Sequence, residues 1–225
     1  MKETDIAVVL VSGGMDSAVA CGIAEKKYNL AMLHINYDQK TKEKELKAFH
    51  SLADFYKAEK KLVVDFEYFK KIGDTSLINK DLKIPDGLSK GGIPSTYVPF
   101  RNAQFLSVAI SWAEVIGSPA VFLGATEEDA AGYPDCRKEF YDIFNKLVDV
   151  GTKKDTIIEI ITPLISMKKK DIVKLGLELG VPFEYTWSCY KNNDRACGTC
   201  DSCLRRIRAF KEARVEDRIA YEFQT

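Results

Sequence analysis

The chain has 225 residues, 46% of them hydrophobic, and its 33 Lys and Arg are balanced by 33 Asp and Glu. That is apolar material enough for one buried core, which excludes wholesale disorder, and the even charge balance argues against a nonspecific grip on nucleic acid, which needs excess cations. Residues 1–5 are charged and the first apolar run, residues 6–11, is too short for a signal peptide or a membrane span. A cytosolic protein with no membrane contact and no direct nucleic-acid partner is therefore expected.

In chain order, residues 6–11 read as a strand that runs into Ser12-Gly13-Gly14-Met15-Asp16-Ser17, with a helix over 16–25. Residues 30–35 read as a second strand, about 41–57 as a helix, and 62–64 as a third strand. A long apolar helix over 104–116 precedes a strand at 120–124; a helix at 140–150, a strand at 157–161 and a helix at 168–179, closed by Gly180, complete the series. Strands alternating with helices predict an α/β fold with a parallel sheet covered on both faces, whose ligands bind beyond the carboxyl ends of the strands. Residues 73–99 lack periodicity and are expected to be a functional lid or a mobile segment. The expected organisation is an α/β domain over 1–181 with a turn-rich, cysteine-bearing segment, 182–225, packed on it as one unit.

The first strand meets two glycines and then a helix. Glycines let backbone approach an anion, and a helix start offers unpaired N–H groups and a positive dipole end. Ser12 and Ser17 add hydroxyls; Asp16 is read as both a helix cap and an indirect Mg²⁺ contact. No Gly-Lys-Ser/Thr follows, so a Walker loop is excluded. The stretch resembles the PP-loop ATP pyrophosphatases, which split ATP between its α and β phosphates, pass AMP to a substrate oxygen and release pyrophosphate. The resemblance implies that Val11, Ser12, Gly13, Gly14, Met15, Asp16, Ser17 and Ala18 wrap the pyrophosphate, and that the end of the second strand, His34 to Tyr37, lies by the adenine, with backbone contacts from Ile35. His34 itself is read as a satisfied core histidine. Pro163 to Ile172 resembles a second element of that family, in which a lysine at a helix start reaches the phosphates; the spacing matches Lys169. Three lysines in a first helical turn oppose the dipole, which an anionic ligand would relieve.

Cys189, Cys197, Cys200 and Cys203 form C-x7-C-x2-C-x2-C. Four thiolates can close a tetrahedral zinc shell, and a closed shell is structural. An iron–sulfur cluster is the alternative, although the bacterial run that holds one continues x3-C-P and this one does not. Arg195, Arg205 and Arg206 are expected to offset the negative charge of the tetrathiolate.

The stretch Gly124 to Arg137, with Gly132-Tyr133-Pro134-Asp135-Cys136-Arg137 at its end, follows a strand and puts carboxylates and an arginine on the ligand-bearing edge. Together with Tyr97-Val98-Pro99-Phe100-Arg101-Asn102 and Trp187-Ser188-Cys189-Tyr190, it closely resembles the 7-cyano-7-deazaguanine synthases, from the phosphate loop to Arg205. Phe100 departs from the small residue more usual there. The resemblance implies an ATP-dependent ligase that turns 7-carboxy-7-deazaguanine and ammonia into a nitrile through adenylated intermediates and an amide, using MgATP and a structural zinc, as a homodimer. It implies Asp16, Arg101, Asp129 and Lys169 as catalytic residues. Asp135 would meet the guanine-like N–H edge, Arg101 and Arg137 the substrate carboxylate or the ATP phosphates, and Glu127 or Asp129 would hold Mg²⁺ or take a proton from ammonium. The alternative is a PP-loop tRNA-modifying enzyme, against which the neutral charge weighs.

Overall fold

A computed structural model describes residues 5–73, 75–89, 91–130 and 132–222. Five strands, β1 (Ile6–Leu10), β2 (Asn29–Asn36), β3 (Lys60–Asp65), β4 (Ala120–Leu123) and β5 (Glu159–Ile161), form one sheet in the order β3-β2-β1-β4-β5. Every pairing is parallel, with Val9 opposite Met32 on one side and Phe122 on the other. The helices are α1 (Met15–Glu25), α2 (Lys42–Phe55), α3 (Phe69–Ile72), α4 (Arg101–Ile116), α5 (Glu127–Ala130), α6 (Lys138–Gly151), α7 (Lys169–Glu178) and α8 (Asp201–Ala213).

The alternating geometry of a strand sends successive side chains to opposite faces, and β1 is apolar throughout because both faces are covered. Ala7 and Val9 pack with Phe49 and Leu52 of α2, Ile172 and Val173 of α7, and Phe210 of α8. Ile6, Val8 and Leu10 pack with Leu106 and Ile110 of α4 and Phe144 and Val148 of α6. The α/β reading from the sequence is therefore the observed architecture, with strand and helix ends shifted by a few residues. Helix α8 lay beyond the elements read from the sequence. Its Ala209 and Phe210 enter the same core as β1, so the carboxyl-terminal segment packs directly on the sheet domain. No helix among the described residues is long and apolar enough to cross a membrane.

The long irregular stretch after α3 is anchored. Gly87 N–H donates to Thr199 O (2.9 Å), Ser89 N–H to Asp201 Oδ1 (2.8 Å) and Ser76 N–H to Ser95 O (2.8 Å). A third apolar cluster joins Leu77, Ile84 and Val98 from this stretch to Trp187, the four cysteines and Tyr221.

Candidate active site

The strand order turns back at β1: the chain goes from β1 to β2 and β3 on one side, then crosses to β4 on the other. Loops leaving β1 and β4 diverge there, and such a switch point opens a crevice at the carboxyl ends of the strands. A cavity of about 310 Å³ occupies it.

One wall of this cavity is the turn from β1 into α1. Gly13 has φ +87°, and a Cβ there would lie 2.7 Å from Glu45 O, so only glycine fits. Gly14 is the N-cap residue, and no side chain caps α1. The helical ladder starts with Ala18 N–H donating to Gly14 O (3.1 Å). The N–H groups of Met15, Asp16 and Ser17 therefore have no helical acceptor, and all three residues line the cavity. A helix start with free N–H groups facing a cavity suits an anion. Ser12 Oγ accepts from Gly14 N–H (3.2 Å), and Ser17 Oγ donates to Gly14 O (2.9 Å). A Cβ on Gly124 would fall 2.6 Å from the Asp16 carbonyl carbon, so the loop after β4 lies directly on the first turn of α1.

Of the phosphate residues expected from sequence, Val11, Ser12, Gly14, Met15, Asp16 and Ser17 line the cavity. Gly13 and Ala18 do not: Gly13 shapes the turn against α2, and the Ala18 N–H is already bonded within the helix. Asp16 is not a cap. Its Oδ2 is drawn across the crevice to Lys169 Nζ (2.8 Å), which also lies 3.4 Å from Asp129 Oδ2. Lys169, the first residue of α7, is 5% exposed. Burial opposes its charge, but the two carboxylates outweigh that and hold its pKa above the ordinary lysine value. Burial pushes the Asp16 carboxyl upward, against the pull of the Lys169 ammonium. Asp16 Oδ1 is buried without a partner among the described residues. A buried, unpaired carboxylate oxygen beside a second carboxylate suits a hard cation with oxygen ligands. Asp16, Asp129 and Lys169 thus meet in one cluster, steadied by Thr126 Oγ1 donating to Asp129 Oδ2 (2.8 Å).

The opposite wall is built from the starts of α4 and α6. Arg101 opens α4; its Nη1 donates to Tyr37 Oη (3.0 Å) and its guanidinium sits 5.2 Å from the Tyr37 ring and 5.6 Å from that of Phe105. Phe100, the N-cap residue, is left-handed at φ 56° and 60% exposed. Asp135 sits behind this wall, not on it. Its Oδ2 accepts from Asn102 N–H (2.8 Å) at the start of α4, so its carboxylate braces the helix start beside Arg101, and Asp135 is not among the lining residues. Arg137 is exposed at the N-cap of α6 and does not line the cavity. The side chain of Glu127 lies outside the described residues.

At the strand edge, Leu33 O accepts from Val11 N–H (2.8 Å), and Asn36 O accepts from Phe66 N–H on the other side (2.7 Å). Backbone direction alternates along a strand, so Ile35 turns its N–H and C=O towards the β1 side, past the point where β1 ends. His34 is 1% exposed. Its Nδ1 donates to Val11 O (2.7 Å), Nε2 faces the Asn36 amide (3.1 Å), and burial lowers its pKa. It is a structural histidine, as read from the sequence.

Several lining residues had no ligand-binding role assigned from the sequence. Arg205 lies on the cavity, held by Asp201 (2.7 Å) and Glu128 (3.1 Å). Tyr133, Tyr141 and Tyr190 line the acceptor side. Tyr133 and Tyr190 stand inside the motifs quoted above, and their position on the ligand-bearing edge was the available signal. Tyr141 stands in none.

The four cysteine sulfurs lie within 4.8 Å of one another and all four residues are buried. Cys197 and Cys203 Sγ are 3.9 Å apart, close to the roughly 3.8 Å edge of a tetrahedron with zinc–sulfur bonds of about 2.3 Å. Backbone N–H groups of Lys191, Asn192 and Cys197 point at Cys189 Sγ, and those of Thr199 and Cys200 at Cys197 Sγ. These donors, not the arginines, meet the thiolates: Arg195 is bonded to Tyr221 O, Arg205 to Asp201 and Glu128, and Arg206 to Asp217. The cluster also touches the phosphate wall. Trp187, two residues before Cys189, donates its N–H to Gly13 O (2.8 Å).

Residues 6–214 match the family model described as queuosine biosynthesis protein QueC. The chain is 54% identical to the 7-cyano-7-deazaguanine synthase of Chlorobium phaeobacteroides (strain BS1) over 96% of both chains. It is 54% identical to that of Chloroherpeton thalassium over 97% of both. Among solved structures, a predicted subunit of tRNA methyltransferase from Methanocaldococcus jannaschii superposes with a TM-score of 0.52, over 96% of this chain and 91% of that one. At 18% identity this shows a shared fold alone. Phosphate loop, cysteine cluster and whole-length identity agree: the chain belongs to the QueC family of 7-cyano-7-deazaguanine synthases.

Proposed function

We propose that the protein is an ATP-dependent ligase that converts 7-carboxy-7-deazaguanine and ammonia into 7-cyano-7-deazaguanine, releasing AMP and pyrophosphate. The observation that carries the reading is one cavity with an uncapped helix start and a buried lysine on one side and an arginine among aromatic rings on the other. The first suits a leaving pyrophosphate, the second a flat acid.

A carboxylate is a poor electrophile because oxide leaves badly. Its oxygen attacks the α-phosphorus of ATP, pyrophosphate leaves, and the acyl carbon then carries AMP. Ammonia attacks that carbon, loses a proton, and AMP departs to leave the amide. The amide oxygen attacks the α-phosphorus of a second ATP and pyrophosphate leaves again; loss of AMP and of the two nitrogen protons then gives the nitrile. The protein's part is positioning and charge. N–H groups of Met15, Asp16 and Ser17 receive the charge that develops on pyrophosphate, and Lys169 neutralises the phosphoryl oxygens. Ile35 offers its backbone amide and carbonyl to the adenine edge. Arg101 holds the acceptor carboxylate against Tyr37, and Asp129 takes the proton from ammonium. Asp135 positions Arg101 through Asn102. When bound with ATP, Mg²⁺ would be held by Asp16 and Asp129 and would add positive charge at the phosphates. Zinc in the four-cysteine site would be structural, because four sulfurs leave no open position.

We take the enzyme to be cytosolic, to act on small molecules without a nucleic-acid partner, and to pair with a second copy. Ile143, Leu147 and Val150 form an exposed apolar stripe on α6 that supports self-association, and sedimentation would measure it. The function is tested by incubating the protein with 7-carboxy-7-deazaguanine, ammonium and MgATP and following amide, nitrile, AMP and pyrophosphate by mass spectrometry. ADP and orthophosphate in their place would end the reading.

A further inference from the structure

Tyr141 lies in the first turn of α6 and is 2% exposed, and its ring belongs to the apolar cluster with Leu10, Leu123 and Ala125. It nevertheless lines the cavity, at the acceptor side with Asn102 and Cys136. Its Oη is one of three buried side-chain oxygens without a hydrogen-bond partner among the described residues; the others are Asp16 Oδ1 and Thr75 Oγ1. Asp16 lines the same cavity, on the phosphate wall, while Thr75 does not line it.

A buried hydroxyl left unpaired destabilises a fold, and a buried tyrosine ordinarily finds a partner. Phenylalanine would fill the same space in this apolar cluster without that cost. The nearby polar groups are already engaged with one another: Asn102 Nδ2 donates to Asp135 O (3.1 Å) and to Cys136 Sγ (3.1 Å). Burial holds the phenol protonated well above its ordinary pKa, and the negative charge of neighbouring groups on the loop adds to this. The group is therefore a neutral donor, buried and without a partner among the described residues, on a residue that lines the cavity.

We propose that Tyr141 Oη donates a hydrogen bond to an acceptor atom of the deazaguanine ring, making Tyr141 a substrate-binding and specificity-determining residue. This rests on the functional reading above and adds a residue to it. Because the hydroxyl has no partner among the described residues, its two effects separate. Tyr141→Phe removes an unpaired group from the free fold and a bond from the complex.

The test compares wild type with Tyr141→Phe in steady-state kinetics and in thermal melts, with and without 7-carboxy-7-deazaguanine. The expected result is a loss of about tenfold or more in kcat/KM for the acid, carried mainly by KM. The KM for ATP should stay within twofold, the ligand-free Tm should be equal or higher, and the Tm rise on adding the acid should shrink. An unchanged kcat/KM for the acid would overturn the proposal. So would a ligand-free Tm several degrees lower, since that would mean the hydroxyl bonds within the fold. Failure of the functional reading would show in the wild-type protein, which would neither turn over nor be stabilised by the acid; failure of the Tyr141 proposal alone shows only in the variant.

Discussion

The two walls of the cavity are built in opposite ways. The phosphate wall is nearly contiguous: residues 12–17 supply a glycine turn, the first turn of α1 and the Asp16 carboxylate, and one distant side chain, Lys169, completes it. The acceptor wall is composed of single residues from many places, among them Tyr37, Arg101, Tyr133, Tyr141 and Tyr190. An anion is held by backbone, which a short motif can specify. A flat heteroaromatic acid is held by side chains whose convergence depends on how α4 and α6 pack on the sheet. The cysteine segment serves both walls, since Trp187 bonds Gly13 O and Tyr190 lines the acceptor side.

That shared support gives the largest expected effect. Stripping the metal with a strong chelator, or Cys200→Ser, should abolish pyrophosphate release and the cooperative melt of the carboxyl-terminal segment. Structural zinc in small folds contributes on the order of 10 kcal/mol. ATP binding by calorimetry should weaken together with acceptor binding. Full ATP affinity in a metal-free chain would cut the link through Trp187 and leave the two walls independent.

Lys169→Ala should act on the phosphate wall alone. Loss of a preorganised charge at a developing anion costs about 10³-fold in kcat, and the unpaired Asp16 should also lower Tm. Circular dichroism separates the two effects. Pyrophosphate release within tenfold of wild type would remove Lys169 from the chemistry.

The same contrast explains what the sequence revealed. Strand β1, the Gly13-Gly14 turn and the four cysteines each follow a local rule, of period, φ or spacing, and each appears where expected. Lys169 was legible from the resemblance of Pro163 to Ile172 to a phosphate-contacting element, with three lysines at a helix start, in conflict with the dipole, as support. Asp135 and Arg137 were expected to meet the substrate, and neither lines the cavity among the described residues. Both lie on the correct loop, but whether a side chain faces the cavity or caps a helix depends on Asn102, 33 residues away from Asp135. Tyr141 has the surroundings of a core residue, and only its unpartnered hydroxyl sets it apart. Helix α8 has a clear amphipathic face, yet the cysteine pattern that overlaps its first turn hid it.

Asp135→Asn sharpens the comparison from the acceptor side. An amide still accepts from Asn102 N–H but loses the charge that strengthens the bond and favours a helix start, at a cost of about 1 kcal/mol. The expected outcome is a tenfold loss in kcat/KM for the acid, with the KM for ATP within twofold. Equal losses for both substrates would mean that the brace under Arg101 is not confined to its wall.

The smallest effect concerns His34, whose Nδ1–H holds the Val11 carbonyl just ahead of the phosphate turn. Burial keeps its folded pKa below the ordinary value of 6.5, against the support of Val11 and Asn36. Below about pH 6.5 the unfolded chain therefore binds a proton that the native chain resists. The stability this residue contributes is present in full above that pH and declines as pH falls towards the lowered folded value, by at most about 1.4 kcal/mol per pH unit. Denaturant melts of wild type and His34→Gln at pH 7.5 and 5.5 isolate the contribution, because other titrating groups are common to both. The stability advantage of wild type should shrink at the lower pH, by about 1 kcal/mol. An advantage that stays constant or grows would mean that the imidazole is charged in the fold, and that a cation, not a neutral ring, stands behind the phosphate loop.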